Sequence, residues 1–156
     1  MRRRPRTPRG LTPRTVLRIA TEDTVATPNY LSALKRAIGG EGVHFDTVTG
    51  AGNKTSPRQV VTLAIRTLKD ESLDAADSTW VIIDAESQAE LQQGRRAQID
   101  RAVDEATKNG IRVIIANPCF EHWLRLHFED CDGNCRSCDE ATRKLQELWQ
   151  RHFQNQ

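Results

Sequence analysis

The sequence predicts an α/β fold with a mainly parallel sheet of four strands and helices on both faces. Segments rich in β-branched residues alternate along the 156-residue chain with segments of helical periodicity. This alternation is typical of parallel strands joined by right-handed crossovers. The third β segment, Trp80 to Ile83, is apolar without polar alternation, as expected for a strand covered on both faces. A chain of this length fits one domain, which we predict over residues 15–156.

The predicted strands and helices follow one another in a regular order. The strands are expected at residues 15–21, 43–48, 80–83 and 111–116. Apolar residues at helical spacing predict helices after Pro28, after Pro57, between Gln88 and Asn109 with an interruption at Gly94, and from Ala141 to Phe153. The last of these helices is expected to pack back on the sheet.

The charge of the chain is unevenly distributed. Residues 1–14 contain six arginines and no acid, so a net charge of +2 for the whole chain leaves −4 for the remainder. We expect this basic arm to be disordered and able to touch phosphates without reading sequence, or else to be a solvated tail. No apolar segment is long enough to span a bilayer, and no apolar signal core follows the arginines. We therefore expect no membrane association and a cytoplasmic location.

Acidic residues follow two of the predicted strands. Glu22 and Asp23 come after the first strand, and Asp84 and Glu86 come at the end of the third. Residues i and i+2 of an extended segment point the same way, so Asp84 and Glu86 are expected to present their oxygens to one point. That point lies at the edge of the sheet where α/β proteins bind ligands, and paired carboxylates suit Mg²⁺ or Mn²⁺. The alternative is an Asp that ends a strand and a Glu that begins the next helix.

Two further segments could bind phosphate. Residues 49–57 contain two glycines and lead into a helix at Ser56-Pro57, whose amino end would attract anions. A flexible loop is the alternative. Arg95, Arg96 and Arg101 could hold phosphate oxygens near the acidic cluster, or could form a solvated helix face.

The most specific pattern follows the fourth strand. The run from Asn117 to Phe128 reads Asn-Pro-Cys-Phe-Glu-His-Trp-Leu-Arg-Leu-His-Phe. It closely resembles the Asn-Pro-Cys-Phe-Glu-x-Trp-Leu-x-Leu-His-Phe signature of the RloB-like family. The resemblance spans residues 15–128, because residues 20–23 and 28–31 are similar to the family's Thr-Glu-Gly-like turn and Pro-Asn-Tyr-Phe helix, and residues 84–86 to its Asp-x-Asp pattern. Members are small proteins found beside bacterial restriction and abortive-infection systems, and they are similar to Toprim domains.

This resemblance implies a Toprim-like fold and a function. The implied function is that of a Mg²⁺-dependent nuclease or phosphoryl-transfer protein, which acts on nucleic acid in antiphage defence beside a partner protein of the defence system. Glu22 would then be an acid/base or metal group, and Asp84 and Glu86 would bind Mg²⁺ or Mn²⁺.

Three residues of the signature are also predicted to belong to the site. Glu121 and His127 are expected to be catalytic, and the amide of Asn117, at a strand end, is expected to contact a ligand. For His127, a core histidine bonded to backbone is the alternative.

Other functions remain open because the sequence departs from the family pattern. Glu86 stands where an Asp is usual, and Asp23 stands where a glycine is usual. A non-catalytic nucleic-acid or nucleotide-binding subunit is therefore the main alternative. A phospho-accepting receiver domain is a weaker one, because it predicts a Lys at the end of a late strand, where this chain has Asn117.

A cluster of cysteines lies near the end of the chain. Cys131, Cys135 and Cys138 fall within eight residues, a spacing that suits a structural Zn²⁺ site better than disulfides in a cytoplasmic protein. Zinc needs four ligands, so the fourth would come from His127, Cys119 or elsewhere. Reduced thiols without a metal are the alternative.

Overall fold

The computed structural model describes residues 15–38, 43–49, 56–70, 77–130 and 135–154. Within them four strands form one sheet in the order β2-β1-β3-β4, with β1 at Thr15–Thr21, β2 at Val43–Thr49, β3 at Ser78–Asp84 and β4 at Arg112–Ala116. Each neighbouring pair is parallel, which confirms the predicted sheet. The basic arm at residues 1–14 and the loop at residues 50–55 lie outside the described residues.

Helices cover both faces of this sheet, as predicted. The described α-helices are α1 (Ala26–Ala37), α2 (Pro57–Asp70), α3 (Gln88–Glu90), α4 (Arg96–Lys108), α5 (Phe120–Arg125) and α6 (Cys138–Trp149). On one face α2 and α4 pack against Val81 and Ile83 of β3. On the other face α1 and α5 contribute Leu31 and Phe120, which pack against Ile82.

The apolar run of β3 is explained by its position inside the sheet. Val81 and Ile83 are fully buried beneath α2 and α4, and Ile82 is buried beneath α1 and α5. Burying one such side chain contributes roughly 1.5–3 kcal/mol. The carboxyl end of β3 at Asp84 is therefore anchored by core packing on both faces.

The segment between β3 and β4 is broken, as the glycine in its pattern predicts. Ser87 and Glu90 form a reciprocal cap at the start of α3, and the helical conformation is then lost at Gln93 and Gly94. Gly94 has φ +105°, a conformation that L residues rarely adopt. The chain resumes as α4 immediately afterwards, and Arg95 lies at the junction.

The closing helix, α6, does not pack where we predicted. Its main contacts are with α5 and with the Gln150–Gln154 turn that follows it, and it buries Ala141 and Leu148. The expected surface was the sheet, but α1 and α5 already cover that face, so α6 packs on α5 instead. Within the described residues, no helix combines the length and apolarity that crossing a bilayer requires.

Asp23 stabilises the start of α1. One oxygen of its carboxylate, Oδ1, accepts hydrogen bonds from the backbone N–H of Val25 at 2.9 Å and of Thr27 at 3.1 Å. The buried hydroxyl of Thr27 donates to the other oxygen. Amides in the first helical turn have no partner within the helix, so this carboxylate satisfies groups that would otherwise be unpaired.

We expect Asp23→Ala to lower the free energy of unfolding by about 1–2 kcal/mol, because the Thr27 side chain and the first amides of α1 lose their acceptor. Asp23→Asn should lose less, since an amide oxygen can still accept. Urea denaturation would measure both. Asp104→Ala, at an exposed position of α4, should change stability by less than about 0.5 kcal/mol. Equal losses for Asp23→Ala and Asp104→Ala would show that the cap contributes nothing.

Candidate functional site

The acids that follow β1 and β3 meet at the carboxyl edge of the sheet. Because β1 and β3 are neighbours, the residues that follow them are brought side by side. The backbone N–H of Glu22 donates to the carbonyl of Ile82 at 3.3 Å, and Oε2 of Glu22 accepts from the backbone N–H of Asp84 at 2.9 Å. The predicted meeting of Glu22 with the end of β3 is therefore present in the structure.

Arg95 lies in the middle of these acids. Its Nη2 donates to both carboxylate oxygens of Glu22, at 2.9 and 2.7 Å, and to the backbone carbonyl of Asp84 at 2.6 Å. The same nitrogen lies 4.0 Å from Oε1 of Glu86. Only 14% of the Arg95 side chain and 8% of the Glu22 side chain are exposed, so this ion pair is largely removed from solvent.

The loop that carries the acids is also tied to the end of β4. The backbone N–H of Ala85 donates to the carbonyl of Ala116, and that of Glu86 donates to the carbonyl of Pro118, each at 2.8 Å. The N–H of Phe120, at the start of α5, donates to Oδ1 of Asp84 at 3.2 Å. The segment that runs from the end of β4 to the start of α5 therefore holds the loop of Asp84 and Glu86 in place.

Glu86 reaches the site for a different reason from the one we predicted. We expected the alternation of an extended strand to align Asp84 and Glu86, but β3 ends at Asp84 and Glu86 has φ +68°. A left-handed conformation is uncommon and strained for a residue with a side chain. The hydrogen bond to Pro118 accompanies this conformation, and the Glu86 side chain lies between Arg95 and Cys138.

The electrostatic state of the site follows from its burial. Burial, and then the negative charges of Glu22, Glu121 and Glu86, raise the pKa of Asp84 to about 8. Burial also raises the pKa of Glu22, although the hydrogen bond and charge of Arg95 act in the opposite direction. The cluster thus contains more negative charge than Arg95 alone compensates.

The three signature residues lie in different surroundings. Glu121, in the first turn of α5, is close enough for its charge to raise the pKa of Asp84. Asn117 is exposed just after β4 and lines an apolar groove. Nε2 of His127 lies 3.2 Å from the hydroxyl of Tyr30, and Nδ1 lies 3.2 Å from the carbonyl oxygen of Trp123.

His127 is therefore placed apart from the acids by its contacts in the described part of the chain. It is also exposed, so it is not a core histidine, although Nδ1 does lie within hydrogen-bonding distance of a backbone carbonyl, as that alternative predicted. α5 is only six residues long, and the chain turns at its end, which directs His127 towards α1 instead of the sheet edge.

The cysteines are brought to the same side of the site by α6. Cys138, at the start of α6, donates its thiol hydrogen to Oε2 of Glu86 at 3.1 Å. The buried Cys119 hydrogen-bonds with Cys138, and this contact together with burial raises the pKa of the Cys138 thiol. Cys135 is a free thiol that contacts the carbonyl of Ser137, and Cys131 lies outside the described residues.

The positions of Cys119 and His127 differ in how well they suit the predicted zinc site. Of the two upstream candidates for the fourth ligand, Cys119 lies beside Cys138, whereas His127 contacts Tyr30 and Trp123. Among the described residues, no three His, Cys, Asp or Glu side chains are grouped so as to hold a metal ion. Zinc therefore stays a prediction.

The arginines predicted to hold phosphate separate in the structure. Arg95 pairs with Glu22, while Arg96 is exposed on α4 and Arg101 lines a surface hollow near the start of α2. Sequence reasoning placed Arg95 near the acids but did not identify it as the partner of Glu22. The sequence feature that could have identified this pairing is the position of Arg95 directly after Gly94, where the helix breaks.

A comparison with the profiles of protein families finds a match that covers most of the chain. Residues 17–156 match the profile of a family described as RloB-like protein. The chain belongs to the RloB-like family. The match includes Glu22, Arg95, Asp84 and Glu86, so the whole acidic site of this RloB-like chain lies within it.

Comparison with solved structures finds a likeness to a de novo designed Rossmann fold protein. The two are 18% identical with a TM-score of 0.42, and the likeness covers 86% of this chain and 96% of the designed one. None of the curated proteins compared matches this RloB-like chain. The strand order and pairing in the structure show the α/β sheet. Its Toprim-like character remains a prediction.

Proposed function

We propose that this RloB-like protein is a Mg²⁺-dependent nuclease or related phosphoryl-transfer protein that acts on nucleic acid in antiphage defence. The observation that carries the proposal is the convergence of Glu22, Asp84 and Glu86 at the carboxyl edge of a parallel sheet. Ligands of open α/β sheets bind at this edge. Family membership supports the defence context, and a companion protein of the defence system is part of the same proposal.

Asp84 and Glu86 offer the type of donor atom that a magnesium ion prefers, although no three His, Cys, Asp or Glu side chains of the described residues are grouped so as to hold a metal ion. Mg²⁺ prefers hard oxygen ligands and is commonly held by only one or two carboxylates, with waters and substrate phosphates completing its coordination. Asp84 and Glu86 supply such carboxylates at the edge of the sheet. Glu22 could join them only if its carboxylate exchanged the Arg95 guanidinium for the ion, because both of its oxygens already accept hydrogen bonds from Arg95.

Each residue then has a distinct role in the proposal. Asp84 and Glu86 would hold Mg²⁺, which when bound would neutralise charge on the phosphate being cleaved. Glu22 is the proposed acid/base group, and its raised pKa suits proton transfer better than that of an exposed Glu. Arg95 orients Glu22, and Glu121 adds negative charge beside Asp84.

The test is cleavage of labelled single-stranded DNA, double-stranded DNA and RNA with Mg²⁺ or with EDTA. We expect Mg²⁺-dependent cleavage by the wild-type chain and a loss of about 100-fold or more in Asp84→Asn, because a metal-binding carboxylate is removed. Asp104→Asn, which removes an exposed carboxylate of α4, should cleave like the wild type. Cleavage in EDTA, or an Asp84→Asn variant of full activity, would contradict the proposal.

A non-catalytic nucleic-acid or nucleotide-binding subunit is the second candidate. The observation that favours it is the Arg95 guanidinium, which already neutralises Glu22 in the position where a catalytic ion would be needed. This candidate predicts binding to nucleic acid that persists in EDTA, with no cleavage of any of the three substrates.

A further inference from the structure

One nitrogen of Arg95 lies among oxygen atoms of the kind that bind a divalent cation. Both carboxylate oxygens of Glu22 and the backbone carbonyl oxygen of Asp84 lie within 2.9 Å of Nη2, and Oε1 of Glu86 lies 4.0 Å away. Carboxylates and backbone carbonyls are the ligands that hard cations prefer. The guanidinium therefore lies where a divalent ion would find oxygens from three residues.

The guanidinium and an ion cannot use the carboxylate of Glu22 at the same time. Mg²⁺ binds oxygen at about 2.0–2.1 Å, so an ion on these oxygens would overlap Nη2 of Arg95 and would repel its positive charge. Little water screens this repulsion, since only 14% of the Arg95 side chain and 8% of the Glu22 side chain are exposed. This agrees with the finding that no three His, Cys, Asp or Glu side chains of the described chain are grouped so as to hold a metal ion.

The hydrogen bonding of Arg95 is incomplete on its other side. A guanidinium has five N–H donors, and all three hydrogen bonds that Arg95 donates within the described part of the chain come from Nη2. Its Nε is buried and has no hydrogen-bond partner there. A buried donor without an acceptor costs free energy, and this cost offsets part of the stabilisation that the ion pair with Glu22 provides. Arg95 is therefore held less firmly than its short contacts alone would indicate.

The chain before Arg95 can accommodate a movement of this side chain. Gln93 and Gly94 break the helical segment, and Gly94 has φ +105°. A Cβ atom at Gly94 would meet no neighbouring group of the described chain within 4 Å, so this side of the break is open. Hinge residues are commonly found at the ends of such elements. Arg95 can thus leave the acids while α4, which buries Ile99 and Ala102, stays in place.

We propose that Arg95 is a built-in competitor of the divalent ion. In the metal-free protein its guanidinium neutralises Glu22, and it leaves Glu22 when Asp84 and Glu86 bind the ion, so that one cation replaces the other beside the buried carboxylate. The proposal rests on the proposed function for the presence of a metal ion, but not for cleavage.

This competition lowers the affinity of the site for metal. When only a small fraction of the molecules is competent to bind, the apparent dissociation constant rises by the inverse of that fraction. The exchange also keeps the carboxylate of Glu22 beside a positive charge in both states, which avoids the cost of a buried charge without a partner. The chain is thus expected to stay folded without metal and to bind an ion only at concentrations that displace Arg95.

Binding of Mn²⁺, measured from the electron paramagnetic resonance signal of the free ion, tests the proposal without any nucleic acid. Mn²⁺ suits the same oxygen ligands as Mg²⁺. We expect Arg95→Met to bind Mn²⁺ about 100-fold more tightly than the wild type, because a competing positive charge is removed. Arg101→Met, the matched control, removes an exposed arginine of α4 and should bind like the wild type.

Equal affinities of Arg95→Met and the wild type, or no Mn²⁺ binding by either, would overturn the proposal. The expected difference in a chain that cleaves no nucleic acid would contradict the proposed function alone, so the two failures can be told apart.

Urea denaturation covers the case in which Arg95→Met is too unstable to titrate. Mg²⁺ should raise the free energy of unfolding of Arg95→Met far more than that of the wild type, where the ion must first displace the guanidinium. An Arg95→Met chain that is unfolded in EDTA should fold when Mg²⁺ is added. The double variant Glu22→Gln with Arg95→Met should lose most of this gain, because the carboxylate for which the two cations compete is gone. Equal gains in Arg95→Met and the wild type, or a variant that remains unfolded in Mg²⁺, would contradict the competition.

Discussion

Replacing Arg95 by methionine is expected to lower the free energy of unfolding by about 3–5 kcal/mol at neutral pH. Methionine keeps much of the apolar stem of Arg95 but removes the guanidinium that donates to both oxygens of Glu22 and to the carbonyl of Asp84. Glu22 would then be a buried carboxylate without its cation, and removing one member of a buried ion pair costs far more than removing both.

A double variant and a control variant distinguish the loss of the Glu22–Arg95 ion pair from a simple loss of packing. The double variant Glu22→Gln with Arg95→Met should lose less stability than Arg95→Met alone, because the uncompensated charge is gone. Arg101→Met removes an exposed arginine from α4 and should change the free energy by less than about 0.5 kcal/mol. Urea denaturation at neutral pH in EDTA gives all three values. A loss in Arg95→Met no larger than in Arg101→Met would show that the pair is not stabilising.

Replacing Asp84 by asparagine is expected to stabilise the metal-free protein above neutral pH. The pKa of Asp84 is raised from 3.8 to about 8 in the folded protein, so the folded state binds this proton more tightly than the unfolded state. The resulting stability is fully present below the unfolded pKa near 4, falls as the pH rises, and is lost once the pH has passed about 8. Asparagine is neutral throughout, so the variant does not suffer this loss.

The stability gained by Asp84→Asn should therefore grow with pH. At about 1.4 kcal/mol per pKa unit, the gain over wild type should be small at pH 4.5 and reach roughly 3–5 kcal/mol at pH 9. An asparagine oxygen can still accept from the N–H of Phe120, so the loop contact is preserved. Asp104→Asn should show no such pH dependence. Urea denaturation in EDTA at both pH values is the measurement, and a gain that is the same at pH 4.5 and pH 9 would contradict the raised pKa.

The two predictions have opposite signs: stability is expected to fall in Arg95→Met and to rise in Asp84→Asn. Asp84 is expected to destabilise the metal-free fold at neutral pH, whereas Arg95 is expected to stabilise it. Natural proteins tolerate strain and uncompensated charge mainly where activity requires them. Removal of Asp84 is thus expected to improve stability and, under the proposed function, to abolish cleavage.

Much of the fold could be predicted from the residues alone. The apolar run at Trp80 to Ile83 has no polar alternation because β3 is covered on both faces, and this property depends only on local composition. The break at Gly94 was also predictable, because a glycine inside a helical pattern weakens the helix and can adopt the positive φ that is found there. The position of α6 was not, because its apolar stripe indicates that it packs but not on which surface.

The acidic site could likewise be predicted from the sequence only in part. Glu22 and Asp84 could be placed from the sequence, because acids at the ends of parallel strands meet wherever those strands are neighbours. Glu86 was assigned correctly to the site but by an argument that its φ of +68° overturns, since the strand has already ended at Asp84.

The sequence by itself determined the parallel α/β class, the family resemblance and the edge of the sheet at which the acids gather, because these follow from periodicity and residue type along the chain. Only the tertiary structure decided that Arg95 pairs with Glu22, that Cys119 lies beside Cys138, and that β4 leaves Ile114 and Ile115 exposed. The physical reason is that ion pairing, thiol contacts and edge exposure depend on distances between segments far apart in the chain. Those distances are set by packing and not by local pattern.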